Sequence, residues 1–213
     1  RGAGADINQA MNDGTTPLYM ACQEGHPECA QLLRDAGAAV NQAKLNDGTT
    51  PLYIACQNGH LECAQLLRDA GADINQANQN GATPLNIACQ NGQLECARLL
   101  RDAGAAGGQA GEQGVTPLLW ACQEGHLECA RLLLEAGAAV NQARDNGVTP
   151  LRVACHQGDL DLAKLLSSYG ASRAATPFGT PEEIANSQGH AALAAWLVAS
   201  RGWTPLQHLE ACP

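Results

Sequence analysis

Ten cysteines and six histidines are the residues of this 213-residue chain whose types could do chemistry. Eight of the cysteines form pairs seven residues apart: Cys22/Cys29, Cys56/Cys63, Cys89/Cys96 and Cys122/Cys129. Cys155 and Cys212 stand outside the pairs. Paired cysteines are the raw material of disulfides and, with histidine, of tetrahedral zinc sites. His26, His60, His126 and His190 each follow a glycine at the same place in successive segments. Ligands strung out at a constant interval do not converge on one ion, and that placement suits a structural hydrogen bond better. No nucleophile elbow, phosphate-binding loop or HExxH run occurs. The sequence therefore carries no catalytic motif, and no cofactor and no metal site are expected.

The elements that position these residues repeat. TPLYMACQEGHPECAQLLRDAGA begins at Thr16 and returns as TPLYIACQNGHLECAQLLRDAGA at Thr50. Further copies start at Thr83, Thr116 and Thr149, so the spacings are 34, 33, 33 and 33 residues. A divergent copy begins at Thr180 and a stub, TPLQHLEAC, at Thr204. A sustained period of this length is the signature of a stacked array. In the second copy Thr50 suits an N-cap, and Pro51 suits the first helical position, where a missing N–H costs nothing. Leu52, Ala55 and Cys56 lie at helical spacing, so a short helix is predicted to bury one narrow face before Gly59 ends it. A second helix from about Leu61 places Cys63, Leu66, Leu67 and Ala70 on one face, and Gly71 fits a left-handed C-terminal position. The polar segment GADINQANQNG reads as a hairpin leading to the next Thr-Pro-Leu. Neither helix buries its stripe alone, so stability must come from stacking.

The period and the pattern TPLxxAxxxGHxxxxxLLxxGA resemble the ankyrin-repeat family over essentially the whole chain. The resemblance implies an all-α solenoid of stacked helix pairs with projecting β-hairpin or loop fingers. Residues 1–213 are read as one such domain, with 1–9 the tail of a preceding repeat. The repeats fall at about 5–37, 38–71, 72–104, 105–137, 138–170 and, divergently, 171–201. Residues 202–213 read as the start of a further repeat, and the chain as a segment of a longer repeat protein. The family's histidine after Thr-Pro-Leu is replaced by Tyr19, Tyr53, Asn86, Leu119 and Arg152, which leaves the local hydrogen bonding open. Gly107-Gly108 stands where sibling fingers carry Val-Asn or Ile-Asn, and glycine raises the entropic cost of ordering a finger. A softer junction is predicted there, and a one-residue bulge near Lys44-Leu45. The finger asparagines Asn8, Asn41, Asn75 and Asn141 match a position that dioxygenases hydroxylate in some ankyrin proteins. A hydrogen bond holding the finger is the preferred role.

The cysteines coincide with the core faces. Equivalent residues of adjacent units lie about 8–10 Å apart in helix packing, beyond the roughly 4.4–6.8 Å that a disulfide needs. Leu162 stands where Cys155 would need a partner. Reduced, packed thiols are therefore expected, unreactive in the native state, in the cytoplasm or another reducing intracellular compartment. The formal charge of −9 and only two lysines argue against nucleic-acid binding. No apolar run reaches the length of a membrane span.

Function then rests on surface. The family resemblance implies recognition along the first helices and fingertips, the concave groove of the array. The residues opposite the buried stripe are Met20, Gln23 and Glu24, then Ile54, Gln57 and Asn58, then Ile87, Gln90 and Asn91. Trp120, Gln123 and Glu124 follow, and Val153, His156 and Gln157 close the row. Tyr19, Tyr53, Asn86, Leu119 and Arg152 vary on this uniform frame, as a binding surface requires. Trp120, Tyr53 and Tyr19 are the expected anchors and Arg152 a polar contact. Asp13, Glu24, Asp47 and Glu124 favour a protein partner with basic character. The leading reading is a monomeric, non-catalytic scaffold or adaptor for another protein. The alternatives are the targeting arm of a larger enzyme, channel or ubiquitin-ligase receptor, and a metal or redox role of the cysteine pairs. An artificial consensus scaffold is a further alternative, but ten cysteines and the divergent sixth copy count against it.

Overall fold

The computed structural model describes residues 6–205 and 207; the stub beyond them, with Cys212, and the first five residues lie outside the described set. Among the described residues twelve short α-helices occur in order: α1 (Pro17–Gln23), α2 (Pro27–Asp35), α3 (Pro51–Asn58), α4 (Leu61–Asp69), α5 (Pro84–Gln90) and α6 (Leu94–Asp102), then α7 (Pro117–Gln123), α8 (Leu127–Glu135), α9 (Pro150–Gln157), α10 (Leu160–Ser168), α11 (Pro181–Ser187) and α12 (Ala191–Ala199). The chain divides into two compact units between Glu112 and Gln113. In unit 1, which holds α1–α6, the first helices α1, α3 and α5 pack in series and α2, α4 and α6 form a second row. In unit 2, α7, α9 and α11 pack in series, and α8 packs on α10.

A Thr-Pro pair starts every first helix described, for one reason. The Oγ1 atoms of Thr16, Thr50 and Thr83 accept the backbone N–H three residues on, at 3.1, 3.1 and 3.3 Å. Thr116, Thr149 and Thr180 do the same at 3.2, 3.3 and 3.2 Å. Each cap satisfies a donor that the helix itself leaves free, and proline follows at the first turn. Gly59 closes α3 in the left-handed region at φ 76°, where a side chain would be strained.

Leucine and cysteine build the core. Leu18, Leu52 and Leu85 in unit 1 and Leu118 and Leu151 in unit 2 are fully buried, each worth roughly 1.5–3 kcal/mol relative to exposure. The first helices bury more than the predicted narrow face. In α3 every residue from Pro51 to Cys56 is buried, because first helices pack on both sides of it and a finger covers its start.

The fingers are tight turns. Among the described residues no strand forms, and one isolated bridge joins Thr176 and Gly179. Short-range backbone bonds close the fingers: Met11 N–H to Thr15 C=O and Gly14 N–H to Met11 C=O, both at 2.9 Å, and Asn78 N–H to Ala82 C=O at 2.9 Å with Gly81 N–H to Asn78 C=O at 3.0 Å. In the second finger Lys44 N–H reaches Thr49 C=O at 2.9 Å, one residue further. The predicted bulge is therefore there, with Leu45 exposed at the tip. The finger asparagines form rungs to the following finger. Asn8, Asn41 and Asn75 accept the N–H of Ala39, Asp73 and Ala106 at 2.8, 2.9 and 2.9 Å. In unit 2 Asn141 accepts that of Ser172 at 2.7 Å. Gly108 occupies the matching place in its finger and has no carboxamide to offer.

Histidine before the second helix stitches rather than caps. His60 Nε2 lies 3.1 Å from Gln23 C=O, and His190 Nε2 lies 3.0 Å from His156 C=O. Gln93, one of the substitutes, sends its amide to Gln57 C=O at 3.5 Å. Asp159, the other, caps α10 directly by accepting Leu162 N–H at 2.9 Å. Close approach of the ring fixes the glycine opposite: a Cβ added at Gly25 would sit 2.5 Å from the His60 ring.

Candidate functional site

The residue three places after each capping threonine is set by its backbone N–H, which the cap holds. Its side chain then points toward the next finger. Tyr19 is 3 % exposed, Tyr53 5 %, Asn86 1 % and Leu119 3 %. This corrects the expectation that these four belong to the partner-binding surface, and Tyr19 and Tyr53 are not surface anchors. Ile54 is corrected for the same reason, buried at 8 % exposure between stacked helices.

These side chains replace the missing histidine. Tyr19 Oη and Thr49 Oγ1 hydrogen-bond at 3.1 Å, and the Lys44 ammonium sits 5.3 Å from the Tyr19 ring centre. Asn78 Nδ2 donates to Tyr53 Oη at 3.4 Å. Asn86 completes a capping box: its Oδ1 accepts from Thr83 Oγ1 at 2.6 Å and from Thr83 N–H at 3.0 Å. Its Nδ2 donates to Gln109 C=O at 3.3 Å. Burial raises the Tyr19 phenol above its ordinary range, against the smaller pull of Thr49 and Lys44. Burial, with the Asp47 charge adding to it, pushes Tyr53 up to about 12.

The outer row of the first helices differs. In unit 1, Met20 is 39 % exposed, Glu24, Asn58 and Asn91 are exposed, and Gln23, Gln57 and Gln90 are half-buried. Part of the row is tied down, since Asn58 Nδ2 donates to Gln23 C=O and Asn91 Nδ2 to Ile87 C=O, both at 2.9 Å. In unit 2, Gln123, Glu124 and His156 are exposed, while Trp120 and Arg152 are half-buried. Of the four acids expected to attract a partner, Asp13 faces Lys44 at 3.5 Å and accepts Thr15 N–H. Asp47 accepts Thr49 N–H at 2.9 Å. Among the described residues Glu24 and Glu124 accept from the neighbouring glutamine amides, at 3.0 and 3.3 Å.

The nine described cysteines are free. Eight are buried and Cys29 is exposed, which corrects the expectation of uniformly packed thiols. Thiols meet diagonally, a relation that a comparison of equivalent positions misses. Cys22 of α1 hydrogen-bonds Cys63 of α4, and Cys56 of α3 hydrogen-bonds Cys96 of α6. Those bonds, with burial, keep Cys22 and Cys56 protonated. Burial pushes Cys155 up to about 12. Among the described residues no group of three or more His, Cys, Asp or Glu side chains is placed to hold a metal ion. No described helix is long and apolar enough to cross a membrane.

A family model described as ankyrin repeats (3 copies) matches residues 2–78, 70–144 and 106–176. The chain belongs to the ankyrin-repeat family. Ankyrin repeats are protein–protein interaction modules. A probable E3 ubiquitin-protein ligase of rice (Oryza sativa subsp. japonica), XBOS32, is 51 % identical over 39 residues. That stretch is 18 % of this ankyrin chain and 8 % of the relative.

Proposed function

We propose that this ankyrin chain is a non-catalytic scaffold or adaptor that binds another protein along the outer row of its first helices and its fingertips. The observation that carries the reading is Trp120. It is a half-buried aromatic on the exposed row of α7, one turn before the exposed Gln123. Large, partly desolvated aromatics supply much of the binding energy in interfaces. Around it the row presents Gln123, Glu124, His156 and Gln157 in unit 2. Met20, Gln23, Glu24, Gln57, Asn58, Gln90 and Asn91 form the corresponding row in unit 1. Glu24 and Glu124, exposed on this row and without an ion pair among the described residues, favour a basic segment next to those two residues. The repeats act together as one monomeric binding domain in a reducing compartment, a setting suited to free thiols.

Affinity capture with wild type and Trp120→Ala, followed by melting of both, tests this. Selective loss of captured protein at unchanged Tm is expected. A large fall in Tm with unchanged capture would return Trp120 to the core and overturn the assignment.

The match to the rice relative favours a second reading, in which the repeats are the targeting arm of a larger ubiquitin ligase. The complete gene sequence tests it: a ubiquitin-ligase module in the same reading frame supports the arm, and its absence removes it.

A further inference from the structure

Unit 2 contains a hollow of about 250 Å³ lined by Gln123 of α7, Arg144 of the following finger, and Arg152, Val153, His156 and Gln157 of α9. In a chain of net charge −9, this lining holds two arginines, a histidine and no carboxylate. Arg144 donates through Nε to Asn146 Oδ1 at 2.9 Å, a neutral acceptor. Neither arginine makes an ion pair among the described residues.

Arg152 is the odd member. Its guanidinium carbon lies 4.1 Å from the centre of the Phe178 ring, which fixes the plane of the fork. Its Nε is buried and has no hydrogen-bond partner. A buried donor left unsatisfied costs about 1–3 kcal/mol, so the site is incomplete as it stands. A planar guanidinium oriented on a ring is matched by a planar carboxylate, which can accept two parallel N–H bonds. Glu124, beside Gln123, is exposed and accepts from the Gln123 amide at 3.3 Å; it leaves the arginines unpaired.

We propose that this hollow is a carboxylate-binding pocket that takes a glutamate or aspartate side chain of an acidic peptide segment. Arg152, held by Phe178, is the bidentate donor, Arg144 the second cation, and Val153 packs against the aliphatic stem of the incoming side chain. The proposal rests on the first-helix row being the partner-binding face and names the chemistry of one partner residue there. It reverses, at this one position, the basic character expected of the partner from overall charge.

The test uses the full chain and two fluorescein-labelled peptides of equal length, one carrying four glutamates and one four glutamines, at low ionic strength. The glutamate peptide is expected to bind and to shift the Arg152 Nε–Hε resonance. Arg152→Gln should weaken that binding about tenfold or more, the scale for losing one member of a desolvated charge pair. Arg144→Gln should weaken it less. Equal binding of the glutamine peptide overturns the pocket, as does an unchanged affinity in Arg152→Gln. A phosphoserine peptide that binds while the glutamate peptide does not assigns the site to phosphate and also overturns it. Failure here is distinct from failure of the interaction reading, which is decided by Trp120→Ala capture.

Discussion

In unit 1 the residue after Thr-Pro-Leu is Tyr19, Tyr53 or Asn86, each buried and hydrogen-bonded to the finger that follows. In unit 2 the same place holds Leu119, buried without a polar group, and Arg152, half-buried with an orphaned Nε. The backbone is the same in both units, because the threonine cap bonds the residue's N–H whatever its side chain. The lesson is that one position can belong to the core in one repeat and to a ligand site in another. What decides is whether the adjoining finger supplies a partner for the polar end. Thr49, Asn78 and Gln109 do so in unit 1. At Arg152 the finger supplies Phe178, which orients the guanidinium without satisfying it.

Alkaline titration should break the comparison most visibly. Tyr53 moves from an ordinary 10.0 to about 12 on folding, and Tyr19 is raised as well. A raised pKa means that folding favours the neutral phenol. The stability is then fully present below pH 10 and is lost as the pH climbs toward 12. Cys155 of unit 2, raised from 9.0 to about 12, adds a loss that already opens above pH 9. Tyr19 and Tyr53 lie in unit 1, while Tyr169, Trp120, Trp196 and Trp203 lie in unit 2. Urea midpoints should fall between pH 9 and pH 12, and Tyr53→Phe should reduce the part of that fall that lies above pH 10.

Asn86→Leu comes next. It makes unit 1 resemble Leu119 in shape but strands Thr83 N–H and Gln109 C=O, so a loss of about 2–3 kcal/mol is expected in urea denaturation. Tyr19→Phe removes only the bond to Thr49 and should cost about 1 kcal/mol by the same measurement. Arg152→Leu is the smallest effect and has the opposite sign. Removing an unsatisfied donor should leave stability unchanged or raise it by up to about 1 kcal/mol. A loss of 2 kcal/mol or more in that variant would mean that Arg152 belongs to the fold as Tyr19 does.

The helices were legible because their ends are chemical. Thr50, Pro51 and Gly59 mark α3 as a cap, a first-turn residue and a left-handed stop, and Leu61 opens α4 as read. The burial of Tyr53 was not legible, and that of Ile54 only as a position that is apolar in every copy. Periodicity within an eight-residue helix reports the face toward its own partner helix. It carries no information about helices stacked on either side or about the finger laid across its start. The variation at Tyr19, Tyr53, Asn86, Leu119 and Arg152 looked like surface diversity for that reason. The diagonal meeting of Cys22 with Cys63 escaped for a related one: it joins a first helix to the second helix of the next repeat, a relation that aligned copies do not display. Simple helical spacing picks out the row on which Gln123, Glu124 and His156 are exposed and Trp120 is half-buried.

The threonine cap has an evolutionary consequence. Since it bonds to a main-chain N–H, the residue it holds can change identity without disturbing the helix start. Selection on that residue is then confined to one contact with one neighbouring finger. A single codon per repeat becomes a site where mutations can accumulate without unfolding the array. Tyrosine, asparagine, leucine and arginine already stand there in one chain, as though neighbouring repeats had sampled different solutions. A lineage of such proteins can shift from one ligand chemistry to another by drift at these codons, while the Thr-Pro-Leu that carries them stays fixed.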